Sequence, residues 1–232
     1  MGLNIKENFR TRDSAFSYLC NACNKCCNGK GIQVNPYETL RLSAHLGVST
    51  TEFRQKFLHQ QMLKHKPDSD ACIFLGEDGC TVHKDRPLVC RLYPLGRLRL
   101  DTGQEIFTEL TPHPESAGEY GTSSTVEGYL QTQEVESYLQ AEKLYGELIT
   151  QMANAALSGN VRSAKSRSNN KKITGFSYTD WILDPDPLIL QYCNMKKIEF
   201  PMETQKKLEL HIEALFAWSS GNMDFQSEII HN

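Results

Sequence analysis

Apolar positions at helical spacing, each set off by a capping signal, organise several stretches of this chain. Asn35-Pro36-Tyr37-Glu38 opens the first: Asn35 is an N-cap residue, Pro36 sits at the first helical position, and Glu38 can close a capping box. Leu40, Ala44 and Leu46 give that helix its apolar stripe, and Gly47 ends it. Ser49-Thr50-Thr51-Glu52 repeats the signal ahead of Phe53, Phe57, Leu58 and Met62, a pattern that runs out near Lys66-Pro67. Ser124-Thr125-Val126-Glu127 begins the longest pattern, predicted as one helix to about Leu157 that buries Val126, Leu130, Tyr138, Ala141, Tyr145, Leu148, Met152 and Ala155. A last helix is expected from about Pro201 to Ser219, with Leu208, Ile212, Leu215 and Trp218 on its apolar face.

Between these patterns lie strand-like runs. Ile32-Gln33-Val34 is one. Cys72–Leu75 and Cys80–His83 flank the turn Gly76-Glu77-Asp78-Gly79, and Arg97–Leu100 and Glu105–Leu110 flank Asp101-Thr102-Gly103, which predicts two hairpins. Asp184-Pro185-Asp186-Pro187 reads as a turn after Phe176, Tyr178, Trp181 and Ile182. The fold class is therefore α+β: short β-hairpins with surrounding helices, followed by a helical C-terminal extension.

Composition changes most sharply between Ser158 and Lys172. There Arg162, Lys165, Arg167, Lys171 and Lys172 stand among Ser, Asn and Gly with no acidic residue. We read that segment as a flexible basic linker, with a local nucleic-acid-binding arm as the sharper alternative. The expected domains are 1–157, the linker 158–172, and the mostly helical extension 173–232. Over the whole chain the net charge is −3 and the pI about 6.2, which gives no overall footprint for nucleic acid or an anionic membrane. No apolar run approaches the roughly 20 residues that span a bilayer, and the N-terminus lacks the basic start and apolar region of a secretory signal. Lys6 stands where a myristoylation motif needs Ser or Thr. A cytoplasmic protein is expected, with no membrane partner.

That compartment changes the meaning of the cysteines. Seven of the eight fall in the first ninety residues: Cys20, Cys23, Cys26 and Cys27 within eight positions, then Cys72, Cys80 and Cys90. Cytosolic thiols stay reduced, so the pattern points to metal ligation, with a disulfide framework as the alternative. Cys-x2-Cys spacing suits ligation because a tight loop turns both sulfurs inward while its N–H groups can donate to them. Three cysteines at C-x2-C-x2-C also match the spacing that holds a cubane in bacterial ferredoxins. Zinc is the other candidate occupant, although C-x7-C-x9-C is looser than a zinc ribbon and seven thiols exceed one tetrahedral site. The expected cofactor is thus an iron–sulfur cluster or zinc, held from Cys20, Cys23, Cys26, Cys27, Cys72, Cys80 and Cys90. Arg86 and Arg91 are expected to flank Cys90 and stabilise its thiolate. His83 and His113 are secondary ligand candidates. Cys193, alone in the C-terminal region, reads as a buried small hydrophobe.

Cys20-x2-Cys23-x2-Cys26-Cys27, Cys72-Ile73-Phe74-Leu75, Gly79-Cys80-Thr81-Val82-His83 and Arg86-Pro87-x2-Cys90-Arg91-x-Tyr93-Pro94 together resemble the YkgJ-type cysteine-cluster family, described as a zinc- or iron-chelating domain. The resemblance runs from about Cys20 to Pro94, and more weakly through Val126–Leu130. His83 departs from the aromatic residue the family pattern carries there. The resemblance implies cysteine-rich metal binding, and the ferredoxin-like triple spacing motivates an electron-transfer or redox role. A zinc-stabilised interaction module is the alternative, and a related cluster in flagellin lysine-N-methylases suggests a part in protein methylation as a third. No Gly-rich nucleotide loop, H-E-x-x-H or G-x-S-x-G supports a particular reaction. The partner is expected to be an unidentified protein or redox partner.

Overall fold

The computed structural model describes residues 9–100, 102–157 and 178–220. The basic segment 158–172 and Phe176 lie outside them. In chain order the elements are β1 (Ala15–Leu19), α1 (Pro36–Leu46), α2 (Thr50–Phe57), β2 (Leu58–His59), β3 (Met62–Leu63), β4 (Leu75–Gly76), β5 (Gly79–Cys80), α3 (Leu88–Leu92), β6 (Leu95–Arg99), β7 (Glu105–Glu109), β8 (Glu119–Thr125), α4 (Val126–Thr132), α5 (Glu136–Leu157), α6 (Tyr178–Leu183), α7 (Pro185–Lys196) and α8 (Thr204–Ser219). Among the described residues eight α-helices with short antiparallel strand pairs make this an α+β protein. No described helix is long and apolar enough to cross a membrane.

The chain forms two compact units that interleave in sequence. The first holds residues 1–34 and 59–138, the second 35–58 and 139–232. The divisions thus fall at 34/35, 58/59 and 138/139. Helices α1 and α2, which precede Cys72 in the chain, belong with the C-terminal helices.

In the first unit β1 pairs with β8, Tyr18 opposite Tyr120 and Leu19 opposite Glu119. Phe16, on the inner face of β1, is 1% exposed and meets Tyr129 of α4 edge to face at 5.1 Å. Burial of one such ring is worth about 1.5–3 kcal/mol. The hairpin β6–β7 forms as the pattern predicts, with Arg97 opposite Phe107 and Leu98 opposite Ile106. Glu105 ties it to the N-terminal segment, accepting from Arg97 Nε at 2.7 Å and from Arg12 Nε at 2.7 Å.

The predicted long helix is two helices. Thr125 caps α4 through the Gly128 N–H at 3.1 Å, but the ladder stops at Gln133, and Glu134 turns left-handed at φ 51°. The Gln133 carbonyl instead accepts Arg91 Nη1 at 2.8 Å. Competition from that buried guanidinium, invisible to local periodicity, breaks the helix. The second predicted helix also ends earlier than expected, at Phe57, because Gln60 takes a left-handed turn (φ 56°) and residues 62–63 become strand.

In the second unit α1 packs on α2 and α8, and α7 packs on α2 and α8. Both sequence caps are in place: Asn35 Oδ1 accepts from Glu38 N at 2.9 Å while Glu38 reaches back to Asn35 N at 2.8 Å, and Ser49 Oγ accepts from Glu52 N at 3.1 Å. The Asp184–Pro187 stretch is not a turn but the start of α7, since proline at the first helical positions has no N–H to lose. Buried Asp184 accepts from Thr50 Oγ1 at 2.5 Å and Thr51 Oγ1 at 2.7 Å, while Thr50 N–H donates to Asp186 Oδ2 at 2.9 Å and Asp186 N–H to Thr50 Oγ1 at 3.0 Å, so α2 and α7 cap each other. Tyr145, Leu148, Met152, Leu208 and Leu215 are buried, as is Cys193, which behaves as the small hydrophobe expected of it.

Candidate metal centre

Strand β1 delivers the chain to Cys20, and the loop beyond it coils because Ala22 (φ 49°) and Asn24 (φ 60°) adopt left-handed backbone. Such a conformation costs a residue with a β-carbon about 1–2 kcal/mol, and asparagine accepts it most readily. The loop closes into a 3₁₀ turn at Lys25–Cys27, which sets Cys26 and Cys27 side by side.

Backbone ladders then bring the second cysteine group to the first. Cys72 N–H donates to the Cys27 carbonyl at 2.8 Å, and Gly29 N–H to the Asp70 carbonyl at 3.0 Å. On the opposite edge Lys66 N–H donates to Ala71 at 2.8 Å and Ile73 N–H to Lys64 at 3.0 Å. The β4–β5 hairpin pairs Leu75 with Cys80, so the chain doubles back and lays Cys80 near Cys72. Gly79, at φ 119°, makes that turn, and a β-carbon there would lie 3.5 Å from Asn24 Oδ1, which sets the hairpin tip against the first loop. The predicted hairpin is present, although its paired residues are fewer than expected.

The sulfurs carry the electrostatic signature of a cluster. Cys26 and Cys27 hydrogen-bond to each other, so the pair loses its first proton readily and its second with difficulty. That bond, helped by nearby Arg86 and Lys30, brings the Cys26 thiol down to about 7, while Cys27 is pushed up. Cys72 and Cys80 are raised by burial, and each feels its neighbours: Cys72 the sulfur of Cys26, Cys80 those of Cys72 and Cys26. Three sulfurs accept a hydrogen bond from the backbone N–H two residues further on, Cys23 from Lys25, Cys72 from Phe74 and Cys80 from Val82. This is the donor arrangement that stabilises anionic, metal-bound thiolate.

Cys26, Cys27, Cys72 and Cys80 are therefore neighbours, drawn from two distant parts of the chain. Cys23 adjoins Cys26 on one side. Cys20, exposed, stands beside Tyr18 and Tyr93. Cys90, on α3, adjoins Arg86 on the other side. None of the eight cysteines is in a disulfide, so the cystine framework is set aside. Among the described residues no three His, Cys, Asp or Glu side chains already stand close enough to hold an ion. The donor chemistry nonetheless fits zinc or iron: soft thiols, backbone N–H groups aimed at them, and one guanidinium to offset their charge.

The two arginines divide their roles, contrary to the expectation that both serve Cys90. Arg86, near Cys90, Cys80 and Cys26, faces the thiols and donates Nη2 to Gln133 Oε1 at 2.7 Å. Arg91 is 3% exposed and turns inward, to the carbonyls of Arg86, Gln133 and Lys84 and the ring of Tyr138 at 4.7 Å. Arg86 precedes α3 and Arg91 lies within it, so their directions cannot be read from spacing alone. His83 turns Nδ1 toward Arg86 at 3.3 Å, and His113 Nδ1 accepts from Glu115 N–H at 3.1 Å. The segment Glu115–Glu119, which packs on the first cysteine loop, has no signal in the sequence because it carries no thiol and no periodicity.

Residues 19–112 match a family model described as "CxxCxxCC: Putative zinc- or iron-chelating domain", a span that contains all seven clustered cysteines. No curated protein and no solved structure matches the chain.

Proposed function

We propose, from the match of residues 19–112 to the zinc- or iron-chelating CxxCxxCC family model, that this chain is a cysteine-ligated iron–sulfur protein with a ferredoxin-like role in electron transfer or redox sensing. The observation that carries this reading is the meeting of Cys26–Cys27 with Cys72 and Cys80, fixed by backbone hydrogen bonds that do not depend on the thiols themselves. Cys23, Cys26, Cys27, Cys72 and Cys80 would hold the group, with Cys20 and Cys90 adjoining. When bound, an iron–sulfur group supplies one-electron transfer at a potential set by hydrogen bonds to sulfur, local charge and exposure.

The chain's own residues contribute each of those influences. The N–H groups of Lys25, Phe74 and Val82 point at sulfur. Arg86 and Lys30 offset thiolate charge. The cysteines are half-exposed rather than buried, which suits electron exchange with a protein partner at the surface. Visible absorption of anaerobically reconstituted protein, bleached by dithionite and absent from Cys72→Ser and Cys80→Ser, tests the reading. A protein that stays colourless through reconstitution overturns it.

A specific observation also favours a second reading. Thiols drawn from two parts of the chain, with backbone N–H groups donating to Cys72 and Cys80, are the ligand type a tetrahedral zinc site takes, and its binding free energy would fold the first unit. Chelation that unfolds residues 59–138, with zinc recovered stoichiometrically, would select it.

A further inference from the structure

The first cysteine loop is gripped from outside by a segment to which the metal reading assigns nothing. Residues 115–119 lie across it and are fixed by contacts along their whole length. Lys25 pairs with Glu115. Asn21 Nδ2 donates to the Ala117 carbonyl at 2.8 Å and to Glu119 Oε1 at 2.9 Å. Ala117 N–H donates to Cys23 Sγ at 3.5 Å. The hydroxyl of half-buried Ser116 lies beside the Cys23 thiol and the Tyr18 and Tyr93 phenols, with one proton to share among them. Gly118 leaves no room for a side chain, since a β-carbon there would lie 2.0 Å from the Tyr18 hydroxyl.

The contacts share a chemical logic. A sulfur that carries negative charge is stabilised by N–H and O–H donors held in place, and such outer donors orient a ligand and tune the group it binds. Cys23 receives the Lys25 N–H from within its own loop, as Cys72 and Cys80 receive theirs, and it also takes the Ala117 N–H and lies beside the Ser116 hydroxyl of a distant segment. The Lys25–Glu115 pair and the Asn21 amide bind the two segments on either side of that sulfur. The antiparallel pair Leu19–Glu119, at the edge of β1–β8, anchors the end of the segment. Geometry of this kind serves the sulfur rather than the fold, because Glu115, Ala117 and Glu119 are exposed and bury no core.

We propose that residues 115–119 form a strap that positions Cys23 as a ligand and tunes the metal centre through the Ala117 N–H and the Ser116 hydroxyl. The proposal rests on the metal-binding reading above. Ser116 and Ala117 are positioning residues that act through Cys23. Their donors favour the more negatively charged state of the centre, so their removal lowers its midpoint potential and weakens metal binding.

The test uses the full chain and the variants Ala117→Pro, which deletes the N–H donor, Ser116→Ala, and Gly118→Ala, which forces the strap off Tyr18. Circular dichroism checks that each variant folds. Co²⁺ is titrated against a chromogenic chelator, the midpoint potential of the reconstituted centre is measured, and iodoacetamide labelling of each cysteine in metal-free protein is read by mass spectrometry. The expected result is Co²⁺ binding weakened about 10- to 100-fold, a lower midpoint potential, and slower labelling of Cys23, whose thiolate has lost its donors, with Cys72 and Cys80 unchanged. Wild-type affinity and potential in all three variants would overturn the proposal, even if Cys23 labelled more slowly, while leaving the metal reading intact. Wild-type protein that binds neither Co²⁺ nor iron would overturn both.

Discussion

Substitution of Arg91 probes how the cysteine segment is held. Its guanidinium is 3% exposed and donates to three backbone carbonyls, those of Lys84, Arg86 and Gln133, while its face lies 4.7 Å from the Tyr138 ring centroid. The three carbonyls belong to the turn after Cys80, the approach to Cys90 and the break between α4 and α5, so one side chain staples three pieces of the first unit. Hydrogen bonds from a charged donor contribute about 1.5–3 kcal/mol each, and a buried carbonyl left unpaired costs about 1–3 kcal/mol. These terms overlap, and relaxation recovers part of them. A net loss of about 3–5 kcal/mol is therefore expected for Arg91→Ala, in the range found when a buried charged network is broken. Arg91→Lys keeps the charge but lacks the planar fork, and should lose about 2 kcal/mol.

The assay is urea unfolding followed by tyrosine near-ultraviolet dichroism, because both tryptophans, Trp181 and Trp218, lie in the second unit. At a slope of about 2 kcal/mol/M, Arg91→Ala should lower the midpoint by about 1.5–2.5 M. Arg86→Ala, whose side chain faces the thiols, should cost less stability and more metal affinity. A midpoint for Arg91→Ala within about 0.5 M of wild type, on that same slope, would refute the stapling argument.

Further outcomes follow from the same structure. His211 is wholly buried, with Nδ1 2.7 Å from the Tyr145 hydroxyl and Nε2 2.9 Å from the Trp181 carbonyl, and burial lowers it to about 4. A histidine with a depressed folded value contributes stability above its unfolded value near 6.5 and loses it as pH falls toward 4, by about 1.4 kcal/mol per unit and about 3 kcal/mol in all. Tryptophan fluorescence in urea at pH 7 and pH 4.5 checks this, and an unchanged midpoint would contradict it. Burial pushes Glu105 up, but hydrogen bonds from Arg97 and Arg12 outweigh it and hold the carboxyl below its usual range. Its contribution is therefore present at neutral pH and lost as pH falls through its folded value, and Glu105→Gln should cost about 1 kcal/mol at pH 7 and less at pH 3 by tyrosine dichroism. Cys72→Ser and Cys80→Ser should abolish bound metal in elemental analysis, whereas Cys193→Ser, in the other unit, should leave it at the wild-type level.

Local signals carried the parts of this fold that depend on local chemistry. Asn35, Ser49 and Gly47 cap and stop α1 and α2 where their side chains and backbone freedom dictate, and the chain turns between Gly76 and Gly79 because Asp78-Gly79 favours it. Tertiary competition decided the rest. The α4–α5 break depends on Arg91, more than forty residues upstream, and the inclusion of α1 and α2 in the second unit depends on α7 and α8, which no nearby pattern announces. The same contrast holds at the site. Thiol spacing picked out the seven cysteines, yet the neighbourhood of Cys26, Cys27, Cys72 and Cys80 comes from backbone ladders, and residues 115–119 reached Cys23 through contacts that spacing does not encode.

Elemental analysis of anaerobically isolated protein, with acid-labile sulfide measured on the same sample, tests the central claim most directly. The account predicts iron and sulfide in comparable amounts in the wild-type chain and neither in Cys72→Ser. Protein that carries neither iron nor sulfide after anaerobic isolation and reconstitution, whether empty or holding zinc, would contradict it.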